Sequence, residues 1–491
     1  KSIIVIVVKI FYIVWCFLCV LSLQVEAQKG KYFEKSVRFP EKATLEEKVD
    51  MAARLVPSKK QLAWQQLELT AFIHFGMNTF TGKERGDGKE FPVMFNPVAL
   101  DAEQWVKALK AGGFKLVILT AKHHDGFCLW PTKTTRHSVA ASPWKNGKGD
   151  IVRELRKACD RHGMKFGLYV SPWDLNAVSY GDSVKYNDFF GRQLTELLTD
   201  YGKVDEVWLD GAGGNGENGK RQGYNWNLIL STINKLQPNA VISICGDDVR
   251  WVGNESGRGR EIEWSSVALV PRCYPNAGER NTEMRLNVFS RDLGGRDVIG
   301  RASELFWYPS EVDVSIRPGW FYHEKEDVKV KSLAELVKIY FQSVGCNSSL
   351  LLNVPPDKRG LINEKDVARL KEFGDYLTKM YTIDLVSKSF RPWTAKEGEG
   401  KEYALGKGCV VNTILLQEDI SRGQRVEAFT VEGLVNGGWQ VLGKGGTIGY
   451  KRLLRIPDTS VEAIRITIDN CRKEANISRV GVFLAPEIPR K

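Results

Sequence analysis

Between residues 70 and 250 the chain alternates short apolar runs with segments that are apolar along one face. The runs are "TAFIHFG", "FKLVILTAKHHDG", "MKFGLYVSPWD", "VDEVWLDG" and "NAVISICGDD"; between them lie "DAEQWVKALKAGG", "GDIVRELRKACDRHG", "YNDFFGRQLTELLTDYG" and "YNWNLILSTINKLQ". Strand-like runs that alternate with amphipathic helices specify βα units and a parallel sheet. Gly112–Gly113, Gly163 and Gly202 stand where a helix should stop and a strand begin. The rhythm loosens between about 255 and 310, where long loops are expected, and resumes with "EVDVSIRPG", the helix-like "SLAELVKIYFQSVG" and "SLLLNVPP". About eight strand candidates across 70–356 match the size of a (β/α)8 barrel. A doubly wound sheet is the main competitor, but no GxGxxG follows the first strand.

From about residue 385 the pattern changes to short alternating runs and Gly-rich turns without a helical period, as in "RVEAFTVEGLVNGGWQVLGKGGTIGYKRLLRI". This predicts a separate antiparallel β-sandwich, joined to the barrel by the helix-like "NEKDVARLKEFGDYLTKMY". The fold class is therefore α/β, a TIM-like barrel followed by a β-sandwich. The expected division is 1–27, 28–380 and 381–491, in keeping with the two or three domains that 491 residues allow. Trp439 is expected to pack in a lid on the barrel rather than to form a glycan-binding face, since a lone Trp is usually core.

The segment 1–27 has a basic start, a long apolar stretch and a small-residue finish, with Val25 and Ala27 at the −3 and −1 positions of a cut before Gln28. That is the pattern of a secretory signal peptide. Lys9 interrupts the apolar run, which argues against a retained membrane anchor. The expectation is a secreted, periplasmic or extracellular protein with no stable membrane insertion after cleavage. The net charge of +11 is spread over basic residues interleaved with acidic ones, so it reads as a solvated surface with mild attraction to anionic polymers, not as a nucleic-acid footprint. Of nine cysteines, Cys16 and Cys19 fall in the leader; the rest are far apart and odd in number, without CxxC or zinc spacing.

In a barrel of this kind, chemistry belongs at the carboxyl ends of the strands. The first four runs deliver His74, then His123-His124-Asp125, then Tyr169 through Trp173-Asp174, then Trp208 and Asp210 to one rim. Each residue has an ordinary reading by itself: Asp210 as a helix cap, His74 as a satisfied core histidine. The His123–His124 pair hints at a metal, but adjacent strand residues point to opposite faces and no third ligand is spaced for zinc, so no metal is expected. Together, carboxylate, imidazoles and indoles describe a sugar site, in which aromatic planes cover the apolar face and polar groups bond hydroxyls. Glycoside cleavage needs a second carboxyl, about 5–5.5 Å from the first for retention and farther for inversion. Glu255 in "VRWVGNESG", expected on a mobile loop after the fifth strand, Asp247, Asp248, Glu263 and Glu311 are all candidates, and spacing alone does not choose among them.

"FIHFGMNTF", "LTAKHHDGFCLWPT", "LYVSPWD", "VWLDGA", "VDVSIRPGWFYH" and "LLLNVPP" together resemble glycoside hydrolase family 29, the α-L-fucosidases, in the family's order. The resemblance implies a retaining exo-α-L-fucosidase that needs no cofactor, with Asp210 as nucleophile and a β-sandwich after the barrel. "GNE" followed by "EW", with "RPGWFYH", looks like the branch that prefers α-1,3/1,4-linked fucose on branched, Lewis-type glycans; it implies Glu255 as acid/base and fucosylated oligosaccharides or glycoconjugates as partners. Fucose-binding positions carry over to His74, His123, His124, Tyr169, Trp208, Trp320 and Glu84. One departure is Arg85, where relatives commonly carry Trp after that Glu. The alternatives are a non-catalytic carbohydrate-binding barrel and a barrel glycosidase for another hexose.

Overall fold

The computed structural model describes residues 32–488, so the 1–27 leader lies outside the described residues. Eight parallel strands form one sheet: β1 (Leu69–Ile73), β2 (Leu116–Lys122), β3 (Lys165–Val170), β4 (Glu206–Leu209), β5 (Val241–Ile244), β6 (Arg250–Trp251), β7 (Ser310–Ser315) and β8 (Ser349–Asn353). Their order is β5-β4-β3-β2-β1-β8-β7-β6. A parallel bridge between Ser243 of β5 and Val249, just before β6, closes the sheet into a barrel. Every residue of β1, β2, β4, β7 and β8 is buried, as expected of strands with helices outside and side-chain layers inside.

The helices begin where the sequence supplies a capping oxygen. Asp101 accepts from Glu103 and Gln104 N–H ahead of α1 (Ala102–Ala111), and Asp150 accepts from Arg153 N–H ahead of α2 (Ile151–His162). Asp182 caps α3 (Ser183–Thr199) and Asn225 caps α4 (Trp226–Leu236). Ser332 and Glu335 form a capping box on α5 (Leu333–Gln342), and Asn363 caps α6 (Glu364–Met380). Gly163 ends α2 at φ 61, a left-handed conformation that glycine adopts without a Cβ clash.

The repeat is broken once. No helix separates β5 from β6; the chain turns back through residues 245–249, and β6 is only two residues long. The excursion from β6 to β7 then runs through residues 252–309, with short helices at Ala277–Glu283 and Arg296–Arg301. It also contributes Ser266–Val267 and Glu304–Trp307 to a three-stranded sheet with Ser36–Arg38. This is the loosened stretch expected from the sequence. It moves Glu255, expected after the fifth strand, to the loop after the sixth.

The carboxyl-terminal domain is a six-stranded antiparallel sheet made of Trp393–Ala395, Gly400–Glu418, Val426–Val435, Gly438–Gly445, Arg452–Cys471 and Ala475–Phe483. Its own core includes Val411, Phe429, Ile464 and Val482, while Leu415, Leu453 and Phe483 pack into the barrel's core. Glu263, a candidate second carboxyl, is at the centre of the junction instead. Its side chain pairs with the buried Arg250, and its carbonyl accepts from Asn347 Nδ2 (2.9 Å), Gln424 Nε2 (2.9 Å) and Thr447 Oγ1 (3.1 Å). Asp247 and Asp248 are likewise structural: Lys35 bridges both at 2.9 Å, and Lys60 reaches Asp248 at 2.6 Å. Trp439 differs from its expected lid role. It lies half-buried on the edge strand, with the Arg465 guanidinium 4.1 Å from its ring centre.

Candidate active site

All nine side chains assigned to the site from the sequence line one cavity of about 290 Å³: His74, Glu84, His123, His124, Tyr169, Trp208, Asp210, Glu255 and Trp320, joined by Phe72, Arg85, Ala212 and Asp313. The carboxyl ends of β1 to β4 bring most of them there. Asp210 is no helix cap, since the next helix is capped by Asn225. Its Oδ1 accepts the Ala212 N–H at 2.6 Å and its Oδ2 accepts the Tyr169 hydroxyl at 3.0 Å, so both oxygens are fixed in orientation.

The imidazoles are held as neutral groups. His74 Nδ1 lies 2.9 Å from Asn353 Oδ1, and the Asn353 amide is oriented by donating Nδ2 to Ser315 Oγ and Trp320 O. His74 therefore carries its proton on Nδ1 and presents Nε2 as an acceptor. Burial lowers its pKa to about 3. His124 Nδ1 is 2.7 Å from Ser171 Oγ, whose own proton goes to Trp173 O, so His124 also donates through Nδ1. Its Nε2 stands 3.9 Å from Asp210 Oδ2. Burial holds the pKa of His124 down against the pull of Asp210, and burial with the neighbouring imidazoles and Arg85 holds His123 well below the usual range. Gly126 lets the chain turn directly after these histidines: its φ is +78, and a Cβ there would meet Asp174 Oδ1 at 2.3 Å.

Aromatic planes complete the walls. Tyr169 stacks between His123 (5.6 Å between centroids, 14° between planes) and Trp208 (5.2 Å, 21°). Trp320 donates Nε1 to Glu255 Oε2 at 3.3 Å. Glu84 acts as a clamp between the loops after β1 and β7: Oε2 accepts Trp320 N–H at 2.8 Å, and Oε1 lies 2.7 Å from His323 Nε2.

Glu311, the remaining candidate for second carboxyl, is sealed inside the barrel beneath the site. It accepts Trp208 Nε1 at 2.7 Å, and burial together with the adjacent Glu206 pushes its pKa well above the carboxylate range. Asp313, two residues on, was not singled out from the sequence, yet it lines the cavity beside Asp210 and Glu255. Its Oδ1 accepts Trp251 Nε1 at 2.7 Å, and burial raises its pKa to about 8. The i, i+2 spacing from Glu311 on one strand was the available signal. Asn353 and Ser171, which orient two of the histidines, carried no comparable signal.

A second cavity, of about 1110 Å³, opens from the first and shares Trp208, Asp210, Ala212, Glu255 and Asp313 with it. Most of its other walls come from the long excursion after β6, among them Arg272, Asn281, Asn287 and Phe289. A parallel barrel that gathers carboxyls, neutral imidazoles and stacked aromatic rings at the carboxyl ends of its strands has the architecture of a sugar-cleaving hydrolase.

Residues 52–381 match the family Alpha-L-fucosidase. Alpha-L-fucosidase 1 of Arabidopsis thaliana is 40% identical over 461 residues, 87% of this chain and 87% of that one. The crystal structure of a candidate alpha-L-fucosidase from Bacteroides ovatus shares 60% identity at a TM-score of 0.92, covering 94% of this chain and 80% of the other. A Ruminococcus gnavus GH29 fucosidase solved in complex with fucose is 33% identical at a TM-score of 0.77, covering 88% of this chain and 95% of that one. The chain belongs to the alpha-L-fucosidase family, and its enzymatic class is that of a glycoside hydrolase.

Proposed function

We propose that this α-L-fucosidase removes α-1,3/1,4-linked fucose from branched, Lewis-type glycans with retention of configuration. The observation that carries this reading is the pair of joined cavities sharing Asp210 and Glu255. The smaller one suits a single deoxyhexose; the larger one, which shares the two carboxyls, has room for a branched leaving group. In the first step the Asp210 carboxylate attacks the anomeric carbon as Glu255 gives its proton to the departing glycosidic oxygen, leaving a fucosyl ester on Asp210. Glu255 then takes a proton from water, whose oxygen attacks the same carbon and frees Asp210. Tyr169 and the Ala212 N–H steady Asp210 through both half-reactions. His74 and His124, each with an unprotonated Nε2, accept hydrogen bonds from sugar hydroxyls, and the site residues assigned above form the fucose pocket.

The test is fucose release from a Lewis-type trisaccharide and an aryl fucoside by the chain beginning at Gln28, beside its Asp210→Ala variant. Release from both substrates should fall by at least about a thousandfold in the variant. The first product seen by NMR should be α-fucose. A β product, or activity that survives Asp210→Ala, sinks the mechanism.

A further inference from the structure

Arg85 is unaccounted for by the mechanism. It lines the fucose cavity, and its guanidinium lies 5.1 Å from the centre of the Trp173 ring. Among the described residues it has no hydrogen bond or ion pair with a protein group. The carboxylate next to it in sequence, Glu84, is committed to Trp320 and His323. The imidazoles nearest it are held neutral by burial, and Asp210, Glu255 and Asp313, which line the same cavity, form no ion pair with it.

A cation to which no carboxylate is directly bonded is a poor neighbour for this reaction. The transition state gathers positive charge at the anomeric carbon and ring oxygen, and a guanidinium in the same cleft opposes it. The opposition disappears if the bound substrate itself brings an anion to Arg85. The guanidinium carbon lies over the Trp173 ring, and its N–H groups, which match the paired oxygens of a carboxylate or sulfate, bond no protein group among the described residues. Arg85 is exposed, so it belongs to the rim of the cavity rather than its floor, next to whatever adjoins the fucose. The chain's net charge of +11 adds long-range attraction for an acidic glycan.

We propose that Arg85 forms an anion subsite at the rim of the fucose cavity, and that the preferred substrates are fucosylated glycans bearing a carboxylate or sulfate ester on a sugar close to the fucose in the same branch. The proposal rests on the fucosidase reading above. Titration calorimetry on the Asp210→Asn chain tests it without turnover, using a neutral Lewis-type trisaccharide, its sialylated form and its sulfated form. At low salt the acidic forms should bind about tenfold more tightly than the neutral one. Arg85→Gln should erase the difference and Arg85→Lys should keep part of it. Whichever acidic form binds better identifies the anion. Equal affinity for neutral and acidic glycans, or a preference that survives Arg85→Gln, overturns the subsite and leaves the fucosidase reading standing. Binding of none of the three overturns both.

Discussion

At the scale of single residues, the protonation pattern of the site sets its behaviour with pH. His74, His123 and His124 all have lowered pKa values, through burial above all. Their ring-proton NMR shifts should therefore stay flat between pH 8 and pH 6; a titration of any of them near 6.5 would contradict the neutral site. Asp313 behaves in the opposite sense. With a pKa near 8 in the folded chain against an ordinary 3.8, it keeps its proton after the unfolded chain has lost it. Folded protein then binds more protons than unfolded, so Asp313 lowers stability progressively as pH rises from about 4 to about 8. In Asp313→Asn that dependence is gone, and the variant's Tm minus that of the parent should climb steadily from pH 5 to pH 8. A flat difference would mean that Asp313 already ionises in the fold. The strand-end histidines and Asp210 were legible in the sequence because each ends an apolar run. Asp313 offered only its spacing from Glu311, and Asn353 and Ser171 were not legible, because what they do depends on a neighbour delivered by another strand or loop.

At the scale of elements, the site is held by pairs of loops more than by any one loop. Glu84, after β1, is bound to two groups of the segment after β7, Trp320 N–H and His323 Nε2. Trp320 in turn donates to Glu255 on the loop after β6. Glu84→Ala should free the Trp320 segment and, through it, loosen Glu255. Losing two hydrogen bonds to a charged group predicts a fall in kcat/KM of about 10- to 100-fold. Because Glu84 is exposed, Tm should change by no more than about 2 °C. A loss of several degrees with kcat/KM intact would make Glu84 a stability residue only. The long strands were readable from composition and alternation. β6 was not, since two residues make no run and, among the described residues, no helix sets it off from β5. Four acidic residues near that break looked alike in sequence. Only the return of the chain through residues 245–249 shows that Asp247, Asp248 and Glu263 face structural cations while Glu255 faces the cavity.

For the whole molecule, the question is whether the barrel and the carboxyl-terminal sheet act as one unit. Residues of the sheet domain fill part of the barrel core, and Gln424, fully buried, links the two by accepting Ser265 N–H at 2.7 Å and donating to the Glu263 carbonyl at 2.9 Å. Glu263 belongs to the same excursion that forms the large cavity and is paired with Arg250 of β6, two positions before the loop of Glu255 begins. The sheet thus braces the element that carries the proposed acid, which a sequence reading of two independent domains does not reveal. Gln424→Leu removes both bonds and leaves the buried Ser265 N–H without its partner, while the Glu263 carbonyl keeps Asn347 and Thr447. That should cost about 1–3 kcal/mol, seen as a Tm lower by roughly 2–5 °C. Because the apolar contacts between the domains remain, calorimetry should still show a single unfolding transition in both proteins. If the parent already unfolds in two steps, the sheet is an appendage. If only the variant does, Gln424 is the main tie between the domains and the shared apolar core is secondary.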